Sequence, residues 1–396
     1  MNVYKTNVTD SILGISVNDT TLDLFESQYP VPGGVSYNSY LIRDEKTAVM
    51  DTVDARATDA WMEALEAELA GKAPDYLVVS HVEPDHSANV ARLAAKYPAM
   101  QVVGNAKTFA YLENFFPGAI EAGRRVTVKD GDTLSLGSHT LHFVFAPMVH
   151  WPEVMVSYES SEKVLFSADG FGRFGVVADG DSFANWVEDS RRYYLNIVGK
   201  FGPQVQALLK KAAGLDIAVV APLHGPVLTG DAIGLALEKY TQWSTYQPEE
   251  KGVLVAYASI HGNTAKAALE LVDMLKAEGV KVEAIDLTRE DWAKAVAKAF
   301  QYTNLVLAAS TYDNFVFTPM ATFLYRLKTK AFQNRTVALV ENGTWAPLAA
   351  KEMRAALDQL KNITVMDQVV TIRSALDDTS RAALGELAKA VKATLD

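Results

Sequence analysis

The chain has 396 residues, with 37 Lys plus Arg, 48 Asp plus Glu and no cysteine. That length predicts two or three domains, and a net charge of −11 excludes a general binder of nucleic acid or anionic membrane. The missing thiols exclude disulfides, zinc–thiolate sites and cysteine-held iron, so any metal must be held by His and carboxylates. The N-terminal stretch shows no basic segment followed by an apolar core, and no run approaches the ~18–20 apolar residues of a membrane span. A cytoplasmic protein is expected.

In chain order, Tyr37–Ile42 and Thr47–Asp51 read as a hairpin turning near Asp44-Glu45-Lys46, and Ala57–Ala70 as a helix. Asp75–Ser80 is a strand that ends in a cluster of ionisable residues. Strand-like pieces follow at Gln101–Val103, Thr133–Ser135, Thr140–Phe145, Glu153–Tyr158 and Lys163–Ser167, with helices expected at Phe183–Val198 and Pro203–Ala213. This half is α+β with much antiparallel sheet. A polar stretch from Tyr246 to Gly252, containing Pro and Gly, reads as a linker and divides the chain into domains 1–250 and 251–396.

The second half alternates more simply. Strands at Gly252–Ser259, Val280–Asp286, Thr303–Ser310, Arg335–Glu341 and Thr364–Val370 are separated by helices at Ala265–Ala277, Asp291–Gln301, Pro319–Lys330 and Ala346–Leu360, and a last helix ends the chain. Five βα repeats predict an α/β doubly wound parallel sheet. Charge also divides: residues 1–250 carry a net −13, and residues 251–396 a net +2.

Four possible ligands crowd into six residues at His81, Glu83, Asp85 and His86, directly after an apolar strand. If the segment stays extended, 81, 83 and 85 point one way and His86 turns in as a helix starts. His150, Asp169 and His224 each follow a further apolar run, where α/β active sites collect. The set supplies three donors for each of two metals and one bridging carboxylate. Open positions then remain, as in catalytic centres, and mixed imidazole and carboxylate donors suit iron or manganese, with zinc also open. His139 and His142 lie three apart in a β-like run, and we read them as structural or solvent-facing.

In the second half, Ser259-Ile260-His261-Gly262-Asn263-Thr264 joins a buried strand to a helix, where hydroxyls and backbone N–H groups cradle phosphate. There is no Walker or GxGxxG pattern. Two more loops, Ser310-Thr311-Tyr312-Asp313-Asn314 and Asn342-Gly343-Thr344-Trp345, follow the third and fourth strands, and their aromatics can flank a flat ring. Together the three loops resemble a flavodoxin domain that binds FMN.

The pattern HxExDH, with His150 in HWPE, Asp169 in SADGFG and His224 in PLHGP, resembles the metallo-β-lactamase-like core of flavodiiron proteins. Tyr37–Ile42 is similar to that family's early strand. Hydrolytic relatives carry HxHxDH, usually with zinc; Glu83 in place of the second His hardens the site toward iron. The departures are HWPEVM where many members have HWPDSM, and SADGFG where many have SNDAFG. The resemblance implies an N-terminal αββα sandwich holding two non-haem irons, followed by a flavodoxin-like domain. It implies that His81, Glu83 and His150 bind one iron, that Asp85, His86 and His224 bind the other, and that Asp169 bridges them. It implies electron passage from rubredoxin or a similar small donor through FMN to the irons, which reduce O2 to water and/or NO to N2O. A head-to-tail homodimer, or a dimer of dimers, is the implied assembly. An acidic donor would meet less repulsion from the near-neutral half. Two readings compete: a zinc metallohydrolase with an appended flavin domain, and an electron carrier with a vestigial metal site.

Overall fold

The computed structural model describes residues 1–178 and 185–395. The chain divides into two compact units, Met1–Thr241 and Gln242–Asp396.

Among the described residues the first unit holds two large sheets and a two-stranded one, in which Leu24–Phe25 pairs antiparallel with Tyr29–Pro30. The first sheet runs in the order β1 (Asn2–Asn7), β2 (Ile12–Asp19), β3 (Val35–Ile42), β4 (Ala48–Met50), β5 (Tyr76–Val78), β6 (Gln101–Gly104) and β7 (Arg125–Thr127). Pairing is antiparallel from β1 to β4 and parallel from β4 to β7. The second sheet runs β8 (Thr133–Ser135), β9 (Thr140–Phe145), β10 (Met155–Glu159), β11 (Val164–Phe166), β12 (Val219–Ala221) and β13 (Leu228–Thr229), with a parallel step only between β11 and β12. One apolar core joins Ile42, Met50 and Val78 of the first sheet to Phe143, Met155, Phe166 and Ala221 of the second, so the sheets form a sandwich. The larger helices are α1 (Thr58–Leu69), α2 (Val90–Lys96), α3 (Ala106–Phe115), α4 (Trp186–Ile197), α5 (Gly202–Ala212) and α6 (Asp231–Ser244).

The expected hairpin and the strands from β8 to β11 stand where the patterning puts them. Strands β1 and β2 and helices α2, α3 and α6 are additions. The expected helix from Phe183 begins outside the described residues; its described part is α4.

In the second unit, β14 (Glu250–Ala258), β15 (Val282–Asp286), β16 (Tyr302–Tyr312), β17 (Arg335–Asn342) and β18 (Ile363–Ile372) form a sheet in the order β15-β14-β16-β17-β18. Every one of these pairings is parallel. This is the doubly wound order whose chain reversal lies between the first and third strands. Helices α7 (Asn263–Ala277), α8 (Trp292–Gln301), α9 (Thr318–Thr329), α10 (Ala349–Leu357) and α11 (Asp378–Ala393) connect and follow the strands. Apolar faces of α7 and α11, including Leu271, Leu275, Leu384 and Leu387, pack on Val255, Val306 and Val340.

Part of the expected linker is structured. Glu250 to Gly252 begin β14, Glu249 N donates to Gln301 O (2.8 Å), and buried Arg335 donates through Nη1 to Tyr246 O (2.8 Å). Backbone groups in this stretch find partners within the second unit, which is why Pro and Gly do not leave it loose. No described helix is long and apolar enough to cross a membrane.

Candidate functional site

The site is assembled at strand ends in the first unit. After β5 the chain stays irregular through Glu83, and a helical turn opens at Pro84. A proline at the first helical position fits that turn, because its fixed φ is already helical and its missing N–H is not needed there. The expected extended alternation therefore ends at Glu83, and Asp85 and His86 project from the first turn instead.

Buried partners lock this segment. Asp51 Oδ1 accepts from Ser80 N (2.7 Å) and His81 N (3.3 Å). Burial outweighs those bonds and pushes the Asp51 carboxyl up to about 6. Glu153 Oε1 lies 2.7 Å from His81 Nδ1 and accepts from Val82 N at 3.0 Å. The Glu153 carbonyl accepts from Asn105 Nδ2 (2.6 Å), whose Oδ1 also caps α3. His86 O accepts from Thr52 N (3.0 Å) and Thr52 Oγ1 (2.7 Å).

Strand β3 holds the loop of His224. His224 Nδ1 faces Ser36 O (2.7 Å), and Asn38 Nδ2 donates to Pro222 O (2.9 Å) and Gly225 O (2.8 Å). Tyr40 OH donates to Pro222 O (2.6 Å). Asp169 sits in the turn after β11. A side chain at Gly172 would press on Asp169 O at 3.1 Å and His224 O at 3.3 Å, so two loops of the site approach here because the residue is glycine. Phe25 and Tyr193 pack edge-on to the His224 ring, at centroid distances of 5.5 and 5.7 Å.

All seven residues singled out from the sequence converge, and they fall into two groups. His81, Glu83, His150 and Asp169 offer atoms within 4.8 Å of one another, as do Asp85, His86 and His224. Glu83 Oε2 lies 3.2 Å from His81 Nε2 and 3.0 Å from His150 Nε2. Asp85 Oδ2 lies 3.2 Å from His86 Nε2 and 3.1 Å from His224 Nε2. Asp169 stands between. Its Oδ2 is 3.4 Å from His81 Nε2 and 3.3 Å from His150 Nε2, while its Oδ1 is 3.1 Å from His86 Nε2.

Donor atoms bound at ~2.0–2.2 Å to one ion necessarily lie roughly 3 Å apart, so this spacing fits two metal ions. Asp85 Oδ1 and His86 Nδ1 are buried and have no hydrogen-bond partner among the described residues. Charges are strongly coupled. Burial opposes ionisation of Glu83, but His150 and His81 hold it down to about 2. Burial likewise opposes the cationic form of His150, yet Asp169 and Glu83 hold it up to about 9. Asp169 is held well below the carboxylate range against its own burial, mainly by His86 and His150. A divalent ion would take over the role that imidazolium protons play here.

His139 and His142 lie apart from this centre. Buried His139 contacts Ser11 Oγ (2.9 Å) through Nε2 and Glu159 Oε1 (3.0 Å) through Nδ1. Its ligand-capable atoms also lie within 4.8 Å of those of Glu159 and Glu162. His142 Nε2 is 3.2 Å from Ser160 Oγ.

In the second unit, the three loops line one cleft of about 640 Å3 at the C-terminal ends of the parallel strands. Ser259, Ile260, His261, Asn263, Thr264, Ser310 to Asn314 and Asn342 to Trp345 line it; Gly262 does not, and its φ of 87° instead makes the turn into α7. The helix begins at Asn263, two residues earlier than expected, so the loop's N–H groups form its first turn. Ala346 and Ser374 also line the cleft. Ser374 follows the last strand with no aromatic or glycine motif to mark it, and it bonds Asn342 through Ser374 N→Asn342 Oδ1 (3.0 Å). Trp345 is 78% exposed and Tyr312 47%, so two flat rings border an open cleft.

Residues 35–225 match the family described as ODP family beta lactamase. The chain is 28% identical over 352 residues to an anaerobic nitric oxide reductase flavorubredoxin of Aeromonas hydrophila, covering 85% of this chain and 69% of that protein. It is 33% identical over 290 residues to diflavin flavoprotein A 1 of Synechocystis sp., covering 72% of this chain and 50% of that one. Its fold matches the rubredoxin:oxygen oxidoreductase of Desulfovibrio gigas with a TM-score of 0.92 at 25% identity, over 99% of this chain and 98% of that one. The flavodiiron protein of Giardia intestinalis matches with the same TM-score and identity, over 100% and 98%. The chain belongs to the flavodiiron protein family.

Within that family the strand-end residues acquire a common purpose. Glu153, Asp51 and Asn105 carry no ligand atom, and neither spacing nor residue type marks them in the sequence. Asp51 and Asn105 work through backbone N–H or C=O groups of the segments that bear His81 and His150, and Glu153 works through Val82 N and the His81 ring.

Proposed function

We propose that this flavodiiron protein is an oxidoreductase that takes electrons from a small donor protein through FMN to a non-haem diiron site, where O2 is reduced to water and/or NO to N2O. The observation that carries the reading is Asp169, which turns one oxygen to each of two His–carboxylate triads. His81, Glu83 and His150 would hold one iron and Asp85, His86 and His224 the other, with Asp169 turned toward both groups. The electrons for the reduction would be supplied by the irons and the flavin when these are bound.

The chain's own residues set the conditions. Carboxylate donors at Glu83, Asp85 and Asp169 favour a hard ion over the zinc of an all-imidazole site. Glu153 fixes the tautomer and orientation of His81, and Ser36 O does the same for His224. The ligand-bearing side chains are mostly buried, with Glu83 the most exposed at 16%, so the open edge of the centre lies toward Glu83. In the second unit the first turn of α7 would hold the phosphate of FMN, and Tyr312 and Trp345, which line the cleft, would hold its ring. The names of the relatives support rubredoxin as the type of donor. A head-to-tail homodimer in the cytoplasm remains part of this proposal.

The test is elemental analysis and a visible spectrum of protein produced with iron available, followed by anaerobic turnover with O2 and NO. About two irons and one FMN per chain, with gas-dependent reoxidation, is the expected result. Zinc that iron does not replace would move the assignment to the metallohydrolase. Flavin with no metal would leave an electron carrier.

A further inference from the structure

The second sheet of the first unit has two apolar faces. One enters the core of the sandwich. The other, through Val156, Leu165 and Val220, is covered by α5 and α6. That cover does not fill the space. A cavity of about 30 Å3 remains, bounded on the helix side by Val205, Ala236 and Tyr240. A single water needs only roughly 10–15 Å3, so size alone does not keep the cavity empty.

Chemistry makes it unsuited to water. The lining offers just two side-chain polar groups, and both are engaged. Ser167 Oγ donates to Gly170 O (2.6 Å), and Tyr240 OH accepts from Phe171 N (2.5 Å). A buried water needs two to four polar partners, and here it would find almost none. A small apolar molecule has no such requirement and gains by leaving water.

Position gives the cavity its meaning. Its wall includes Val149, next to His150, and Gly170 and Phe171, directly after Asp169. Its outer side runs between α5 and α6 to Leu208, Leu209 and Leu237, the last 37% exposed. The way in from solvent is thus an apolar rim, and the inner end abuts two ligand-bearing segments.

We infer that this cavity is a binding site for an uncharged diatomic gas, which it takes from solvent between α5 and α6 and holds beside the metal ligands. The inference rests on the gas-reducing function proposed above. It adds a site and a route distinct from the open edge at Glu83. A void of this size lowers stability, and a larger side chain at Ala236 would fill it.

Xenon is the probe. In pressurised crystals of the holoprotein, xenon is expected in the cavity. In Ala236→Leu it is expected to be absent, with a raised melting temperature, a severalfold rise in KM for O2 or NO, unchanged kcat and unchanged iron and flavin content. Leu209→Phe, at the partly exposed rim, narrows the entrance without touching the core and serves if Ala236→Leu misfolds. An active wild-type protein that takes up no xenon would overturn the site. Xenon uptake with KM indifferent to both substitutions would reduce the cavity to a packing fault. A wild-type protein that takes up xenon but turns over neither gas would sink the reductase reading and leave the gas site standing.

Discussion

Glu153 shows how much of this centre depends on residues that touch no metal. Its Oε1 serves His81 Nδ1 and Val82 N together, so replacing the carboxylate weakens ring orientation and backbone at once. Glu153→Gln is expected to lower metal affinity by about 10–100-fold, read as earlier metal loss to a competing chelator, while the flavin spectrum stays unchanged. Unaltered metal retention would show that the ring is held by its ligands alone. Asp44 gives a prediction of another kind. It works against slight burial, and the backbone N–H of His139 together with its neighbours holds its carboxyl down to about 2. A depressed carboxyl contributes stability that is present above its ordinary value near 3.8 and is lost as pH falls through that value toward about 2. Asp44→Asn should therefore unfold more easily than wild type at pH 7, by no more than about 1 kcal/mol because the site is exposed, and the gap should close on acidification. A gap that widens below pH 4 would contradict the assignment. The convergence of the seven residues was legible because His81, His150, Asp169 and His224 each follow an apolar run, and Glu83, Asp85 and His86 crowd directly behind the first of them. Glu153, Asp51 and Asn105 were not, because their partners, backbone groups and for Glu153 also the His81 ring, are brought close only by the fold.

At the scale of elements, β3 is the strut of the site. Every residue from Val35 to Ile42 is buried, yet the strand is rich in Ser, Asn and Tyr, since Ser36, Asn38 and Tyr40 hold the His224 loop and Ser39 bonds Asp51 O. Asn38→Leu keeps the size and removes both donors to Pro222 O and Gly225 O. A loss of about 2–4 kcal/mol in urea unfolding is expected, with incomplete metal loading. Full stability with a full metal complement would show that Tyr40 and Ser36 suffice. Legibility differed between elements for a plain reason. In the second unit, apolar runs buried on both faces alternate with amphipathic helices, and period alone separates them. Strand β1 lies at the sheet edge and reads Asn-Val-Tyr-Lys-Thr-Asn, mostly exposed, so its pattern is too weak to announce a strand. Strand β2 next to it is buried nearly throughout but contains Gly, Ser, Asn and Asp, which mask it. The turn at Pro84 cut the expected alternation short, because the strand ends at Val78 and the helical turn begins only five irregular residues later.

For the whole molecule, the two units carry different cofactor chemistry and different sheets. Metal bound only to the folded first unit stabilises that unit by mass action, and the second gains nothing directly. Chelation of the holoprotein is expected to lower one calorimetric transition by several degrees and to leave flavin absorbance in place. Loss of flavin in step with metal would show that the units do not answer separately. The charge division, −13 before residue 251 and +2 after it, was countable from composition.

The separation of the ligands along the chain has a consequence during synthesis. Asp85 and His224 meet across 139 residues, and His81 and Glu153 across 72. A ribosome that has released only the first sheet has produced four of the donors without the residues that orient or complete them. The nascent chain can then catch an ion only loosely, through residues 81–86, and can lose it again to cellular buffers. Lasting capture begins after His224 has emerged and β3 has gripped its loop. Loading therefore belongs to the finished first unit, and a chain truncated before residue 224 should leave the ribosome without a metal complement, whatever the supply of iron around it.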